Sequence, residues 1–237
     1  MKRPLGFSTN CFSQSMVPYD ERIRVGKELG CHALELGSVN DDLRFDEALT
    51  AVRQGLADDF AWVSLHGPGS TTALSNDKVS HEILDAIEAI HRVRPLDIVV
   101  LHPDSITDES MFDGYSFPIG IENMDRRKAS FQRPDTLRSL LERHPRWQII
   151  VDVNHCYTND PTLQLVKELF TQFHGRIAEI HVSGYQKSHE PLFKTQQRAI
   201  LRALPHEDIP IIIESELSDA EDARREHRYI FQSLKQR

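Results

Sequence analysis

Eight short apolar runs recur along the chain, separated by longer stretches with helical spacing. They are LGFST from Leu5, HALEL from His32, FAWVSLH from Phe60, LDIVVLH from Leu96, FPIGIE from Phe117, WQIIVDV from Trp147, IAEIHV from Ile177 and IPIIIE from Ile209. Several are rich in Ile and Val without polar alternation, as strands buried on both faces of a parallel sheet are. Residues 19–29 read as a helix closed by Gly30, which suits the left-handed position after a helix. Residues 76–93 carry Val79, Ile83, Ile87 and Ile90 at helical spacing. Asp160-Pro161 predicts a cap with Pro in the first helical position, opening a helix that stops at Gly175. Residues 218–235 predict a charged closing helix. The stretch 105–115 is short and reads as a loop or a single turn, so the fourth helix is weak or missing.

Strict βα alternation repeated about eight times predicts an α/β fold, either a (β/α)₈ TIM barrel or a doubly wound sheet. No GxGxxG and no GxxxxGK[ST] follows any run, so the nucleotide-binding form of the doubly wound sheet lacks its motif. A barrel is expected, as one domain over residues 1–237 with no linker. Closed barrels typically take about 250 residues, so a chain of 237 predicts a compact one with short loops.

The polar residues that close these runs carry the candidate chemistry. Run three ends in His66, run four in His102, run five in Glu122 and run eight in Glu214; run six carries Asp152 with His155, and run seven His181. In a barrel the C-terminal strand ends converge on one mouth, where such enzymes keep their chemistry. Imidazole and carboxylate together suit Zn²⁺, Mn²⁺ or Fe²⁺. Carboxylates crowded into one mouth would repel one another unless a cation lay between them. A single His or Glu at a strand end is more often a solvated terminus; six such ends in succession are not explained that way. A scaffold barrel without catalysis would instead carry apolar residues there. The other histidines lie at strand starts, on helices or in loops and read as packing or surface residues.

Net charge is −8, which argues against a general nucleic-acid surface. No apolar run reaches the roughly 20 residues of a membrane span, and the start of the chain has no signal-like apolar stretch; a cytoplasmic protein is expected. Cys11, Cys31 and Cys156 have no paired spacing and read as reduced thiols. Cys156 beside His155 is not read as a nucleophile pair, since neighbours on an extended segment point opposite ways.

The pieces SLHGPG, VVLHPD, GIEN, DVNH, EIHVSG with SHEPL after it, and IIIE, in that order, resemble the xylose-isomerase-like, divalent-metal-dependent TIM-barrel superfamily. It includes sugar isomerases and epimerases and endonuclease IV, and the resemblance runs from Gly6 to Glu214. It implies that Glu122, Asp152, His181 and Glu214 form a four-ligand metal site, with Glu122 and Glu214 also the acid/base pair and His155 a substrate contact. The endonuclease IV pattern further implies His66 and His102 as metal ligands, and His155 with His189 as ligands of a third metal. An Asp two residues before that last His is part of the pattern; this chain has Lys187, which cannot ligate while protonated. The Tyr that endonuclease IV places near the strand-three loop is also missing from Gly67-Pro68-Gly69, and Phe193-Lys194 follows the His-x-Pro-Leu element where isomerase-like relatives often carry a Gly-rich stretch.

Two reaction classes follow, with one to three divalent cations as cofactor. The favoured one is an isomerase or epimerase of a small sugar or sugar phosphate, with Glu122 and Glu214 as base and acid. His155, Lys187 and Glu35 would then contact substrate. The other is a multi-metal phosphoester hydrolase, which gives His66, His102 and His189 a role. Arg126-Arg127-Lys128 reads either as an anion-binding rim or as a solvated helix start; Asn123 is a candidate substrate contact or a residue orienting Glu122.

Overall fold

The computed structural model describes residues 3–37, 45–69 and 72–236. Eight parallel strands close into a barrel in chain order, each hydrogen-bonded to its sequence neighbours and β8 to β1. They are β1 (Leu5–Ser8), β2 (Ala33–Leu36), β3 (Trp62–His66), β4 (Ile98–Leu101), β5 (Ile119–Glu122), β6 (Gln148–Asp152), β7 (Ile177–Val182) and β8 (Ile211–Ile213). Each lies within one of the eight apolar runs.

Side chains alternate between the two faces of each strand. Outward residues such as Leu34, Val63, Leu65, Val99, Ile121, Val151 and Ile180 are buried against the helices. Inward ones divide by depth. A plug of Ile98, Val100, Ile150 and Ala178, with Trp62 against it, fills the barrel's interior. Ala178 joins it because the β6–β7 register shifts between Ile149 and Ile150, giving β7 an extra residue. Gly120 leaves room for this plug: a Cβ there would lie 2.7 Å from Ile150 Cδ1 and 2.8 Å from Ile98 Cγ1, so those side-chain ends would have to shift. Towards the C-terminal ends the inward positions turn polar.

The outer elements include α1 (Tyr19–Glu28), α2 (Asp46–Arg53), α3 (Lys78–Val93), α4 (Pro134–Arg143), α5 (Val153–Asn159), α6 (Gln164–Gln172), α7 (Leu192–Thr195), α8 (Arg198–Ala203) and α9 (Ala220–Lys235). Helix α1 ends as expected before Gly30, whose φ is +71°. Asp77 and Asp219 cap α3 and α9 through their side chains. Between β4 and β5 the chain forms two 3-10 turns, Pro103–Ser105 and Glu109–Phe112, in place of a helix. One helix start differs from expectation. Pro161 does not open α6; the helix begins at Gln164, after Leu163 in a left-handed conformation. The Asp160 carboxylate still gathers the amides of Thr162 and Leu165, so it closes a turn before capping the helix. No helix among the described residues is long and apolar enough to cross a membrane.

Candidate metal centre

The polar strand ends converge as the topology requires. Glu122 and Asp152 are the last residues of β5 and β6, His66 the last of β3, and His181 the last but one of β7. His102 and Glu214 follow β4 and β8 directly. Asp152 and His181 are register partners across β6–β7.

Glu122 stands at the centre, 1% exposed. Its Oε2 lies 3.0 Å from His102 Nε2 and 3.6 Å from His66 Nε2. Its Oε1 lies 3.4 Å from His155 Nδ1 and 3.5 Å from His181 Nδ1. His181 Nδ1 is also 3.1 Å from Glu214 Oε2. Burial pushes the Glu122 carboxyl up, but the charge of His155 and the contacts with His102, His181 and His66 hold it well below its usual range. Burial raises Asp152. For His66, burial opposes the charged form, yet Glu122, Glu35 and Glu214 push its pKa up to about 10. His155 and His181 are raised by the same competition.

Each ring is turned by a neighbour. His66 Nδ1 donates to the Gly67 carbonyl at 2.8 Å, freeing Nε2. His155 Nδ1 donates to the Asn123 carbonyl at 2.8 Å. His189 Nδ1 pairs with the Ser183 hydroxyl at 3.0 Å, and Asn154 holds that hydroxyl at 2.9 Å. His181 Nε2 donates to Glu179 Oε1 at 3.0 Å and lies 3.2 Å from Glu35 Oε2, which leaves Nδ1 for the mouth. Carboxylate and carbonyl partners of this kind fix the tautomer of a metal-ligating imidazole. Asp152 is divided between two tasks. Its Oδ1 accepts the His155 amide at 2.8 Å and caps α5, while Oδ2 points away.

The donor set fits divalent cations. Glu122 Oε1 and Oε2, Asp152 Oδ2 and His181 Nδ1 are buried without a hydrogen-bond partner. Orphaned buried polar atoms are costly, and these four lie within one cluster of imidazole and carboxylate donors. Three groups have donor atoms within 4.8 Å of one another at the mouth: His66, His102 and Glu122; Glu122, Asp152, His181 and Glu214; and Asp152, His155 and His189. The first two share Glu122 and the last two share Asp152.

The other expected residues lie around this centre. Glu35 is fully buried beneath His181 and so supports that ring from below the cavity; burial raises its carboxyl to about 7 against the pull of His181. Asn123 is also fully buried, and its side chain clamps both the amide and the carbonyl of Asp152. Lys187 is exposed and does not line the mouth cavity. Arg126 sits on the rim, 3.1 Å from the Tyr185 hydroxyl. Arg127 pairs with Asp125 and Lys128 with Asp104, so each member of the basic run has a partner within the protein. Sequence reasoning missed Glu179, although its position two residues before His181 puts both on one face of β7. It also missed Ser183 and Asn154, which orient the His189 ring.

The mouth holds a cavity of about 220 Å³ whose walls include His66, His102, Glu122, His155, His189 and Glu214. Cavities of about 520 and 650 Å³ open among strand starts and helices and contain none of the clusters above.

No family model matches the chain, and no curated protein sequence does. Solved structures do. A D-tagatose 3-epimerase-like protein superposes with a TM-score of 0.70 at 15% identity, covering 98% of each chain. Endonuclease IV from Thermus thermophilus gives 0.67 at 16% identity, covering 99% of this chain and 100% of that one. A probable 3-DHS dehydratase from Bacillus anthracis gives 0.65 at 15%, over 98% and 99%. Likeness at this level is likeness of architecture, and it agrees with the closed eight-stranded topology in making the fold a (β/α)₈ TIM barrel.

Proposed function

We propose that the chain is a divalent-cation-dependent hydrolase acting on a small phosphoester. One observation carries this reading: Glu122 turns one oxygen to His66 and His102 and the other to His155 and His181. A carboxylate so placed could serve both groups of donors if each held a cation, and a pair of cations would suit in-line displacement at phosphorus. His66, His102 and Glu122 would hold one; Glu122, Asp152, His181 and Glu214 would hold the other. Bound there, the pair supplies Lewis-acid activation of the attacking water and of the phosphoryl oxygens.

The chain's own groups set the rest. Both Glu214 and Glu122 line the cavity, but the Glu214 side chain is 13% exposed and that of Glu122 only 1%. Glu214 is therefore the more open of the two carboxylates to a substrate. Burial raises its carboxyl, but His181 overrides this and brings it to about 2, so it acts as an anion and hydrogen-bond acceptor. The cavity is too small for duplex nucleic acid, and no Lys or Arg lines it among the described residues. Phosphate-backbone recognition depends on such cations.

A second reading, the sugar isomerase or epimerase, is favoured by a different distance pair. Glu214 and Glu122 both stand at His181 Nδ1, at 3.1 and 3.5 Å, as an acid and a base flanking one substrate would. The likeness to an L-ribulose 3-epimerase is compatible with it. His102 separates the two. With Mn²⁺ or Zn²⁺ supplied, the wild type should hydrolyse p-nitrophenyl phosphate or its diester, and His102→Ala should lose this at least tenfold while keeping its melting temperature. Failure of the wild type on phosphoesters, together with solvent deuterium exchange into ketoses that survives His102→Ala, would reverse the order of the readings.

A further inference from the structure

Asn10 stands at the wall of the mouth with its carboxamide unspent, and we propose that it selects substrate by hydrogen-bonding a hydroxyl on an uncharged, hydroxylated alcohol group of the phosphoester. The inference rests on the phosphoester reading given above and adds the part of the substrate that does not react. Asn10 lines the mouth cavity with His66, His102, Glu122 and Glu214, and it is half-buried. Its Oδ1 is buried without a hydrogen-bond partner. Among the described residues its hydrogen bonds run through the backbone alone: the amide donates to the Ser8 hydroxyl at 3.2 Å, and the carbonyl accepts the Ser13 amide at 3.0 Å. A buried polar atom without a partner is costly and calls for a reason.

The carboxamide is held by shape. Asn10 belongs to the 3-10 turn Thr9–Phe12, which follows β1 directly. The chain after β2 passes against it at Gly37. A Cβ on Gly37 would lie 2.3 Å from Asn10 Nδ2 and 2.4 Å from both Cγ and Oδ1, so the flat face of the carboxamide rests on this glycine. Turn and glycine are tied together. The Thr9 hydroxyl accepts the Gly37 amide at 2.9 Å, the buried Tyr19 hydroxyl donates to the Gly37 carbonyl at 3.1 Å, and Arg22 Nη1 donates to the Thr9 carbonyl at 3.0 Å. The plane of the carboxamide is thus set, yet no bond decides which end faces the cavity. A hydroxyl both donates and accepts, so it can pair with the N–H or the C=O. The cavity narrows the class further. No Lys or Arg lines it among the described residues, so a second anionic group on the substrate would find no counter-charge from a side chain there. An uncharged hydroxyl needs none, and the Ser13 side chain lines the same cavity.

The test is ligand binding to the Mn²⁺-loaded protein, read by calorimetry without turnover. The probes are butylphosphonate and 3,4-dihydroxybutylphosphonate, which share charge and chain length, differ only in the hydroxyls, and carry no ester to cleave. Wild type should bind the dihydroxy compound about tenfold more tightly, the order of one or two net hydrogen bonds. Asn10→Ala should bring the two affinities to within about twofold by weakening the dihydroxy compound alone, because only the hydrogen bonds to the hydroxyls are lost. Its Mn²⁺ affinity, from chelator competition, and the melting temperature of the metal-free protein should stay as in wild type. Gly37→Ala should show the same loss of preference: its φ lies outside the left-handed region, and the new methyl group meets the end of the Asn10 side chain first. A preference that survives Asn10→Ala, or equal binding of both probes by wild type, overturns the proposal and leaves the phosphoester reading standing. Equal weakening of both probes in Asn10→Ala overturns it too, since the residue would then shape the mouth without reading hydroxyls. A wild type that binds neither phosphonate removes the phosphoester reading, and the proposal with it.

Discussion

His181 presents its Nε2 to Glu179 at 3.0 Å, two residues back on the same strand and fully buried. The indole of Trp62 donates to the other oxygen of that carboxylate. Glu179 is thereby held on both sides, and it in turn fixes His181 with Nδ1 facing the mouth. Glu179→Gln should weaken binding of the cation at Glu122, Asp152, His181 and Glu214 by about 10–100-fold, the usual effect of losing the partner of a metal-ligating His. Chelator competition measures it. An affinity within twofold of wild type would mean that Glu35, 3.2 Å away, orients the ring unaided.

Cation binding should release protons and strengthen as pH rises. In the metal-free protein, His66 is raised to about 10, and His155 and His181 are raised above their ordinary values; burial opposes the charge, and the surrounding carboxylates outweigh it. The His66 ring therefore carries its proton at pH 7, His155 and His181 hold theirs to higher pH than a free imidazole does, and a ligating imidazole must be neutral. Affinity is lowest in acid and continues to climb above neutrality, up to the folded pKa of His66. Calorimetry at pH 7 in buffers of different ionisation enthalpy should show at least one proton released per chain. A Kd unchanged between pH 6 and 9 would contradict histidine ligation.

The convergence of these side chains was legible in the sequence because barrel topology sends every strand's C-terminal end to one place; the four-member set Glu122, Asp152, His181 and Glu214 came from the resemblance and not from run-end position. What the run ends could not tell is how each side chain is spent. Glu35 occupies a strand end like the others but lies a layer deeper, against His181. Asn123 follows Glu122, so its side chain turns away from the mouth and binds the Asp152 backbone. Glu179 was hidden because it sits inside an apolar run, where only the alternation of faces relates it to His181. The start of α6 was displaced for a local reason: the left-handed Leu163 breaks the path between the Asp160 cap and the helix.

Glu226 shows how the mouth loops are anchored from outside the barrel. From α9 its buried carboxylate accepts the amides of Leu192 and Phe193 and the hydroxyl of Ser215. The first two follow His189 in sequence, and Ser215 lies between Glu214 and Glu216. Glu226→Ala strands three donors in a dry site, at a cost on the order of 3 kcal/mol. The melting temperature of the metal-free protein should fall by several degrees, and hydrogen exchange should accelerate over residues 188–195 and 214–217 before it does elsewhere. Uniform acceleration across the barrel would show that Glu226 supports the fold at large and not the loops.

The barrel's interior should resist a side chain at Gly120. The β5 backbone passes close to Ile150 and Ile98, and a Cβ at this position meets both at under 3 Å. These contacts are with the ends of side chains, which can move, so Gly120→Val should fold. Repacking a filled interior costs about 1–3 kcal/mol, and at this chain length each kcal/mol lowers the melting temperature by roughly 2–4 °C. The substitution lies two residues before Glu122 on the same inward face of β5. Strain in the plug therefore passes along the strand to the carboxylate that joins the two histidine pairs. Gly120→Val should weaken cation binding along with stability, whereas Gly120→Ala, which adds one methyl group, should show a smaller loss of both. Thermal melts and chelator competition on the two variants measure the link; a Val variant destabilised as expected but with wild-type affinity would show that the plug and the metal centre are mechanically independent.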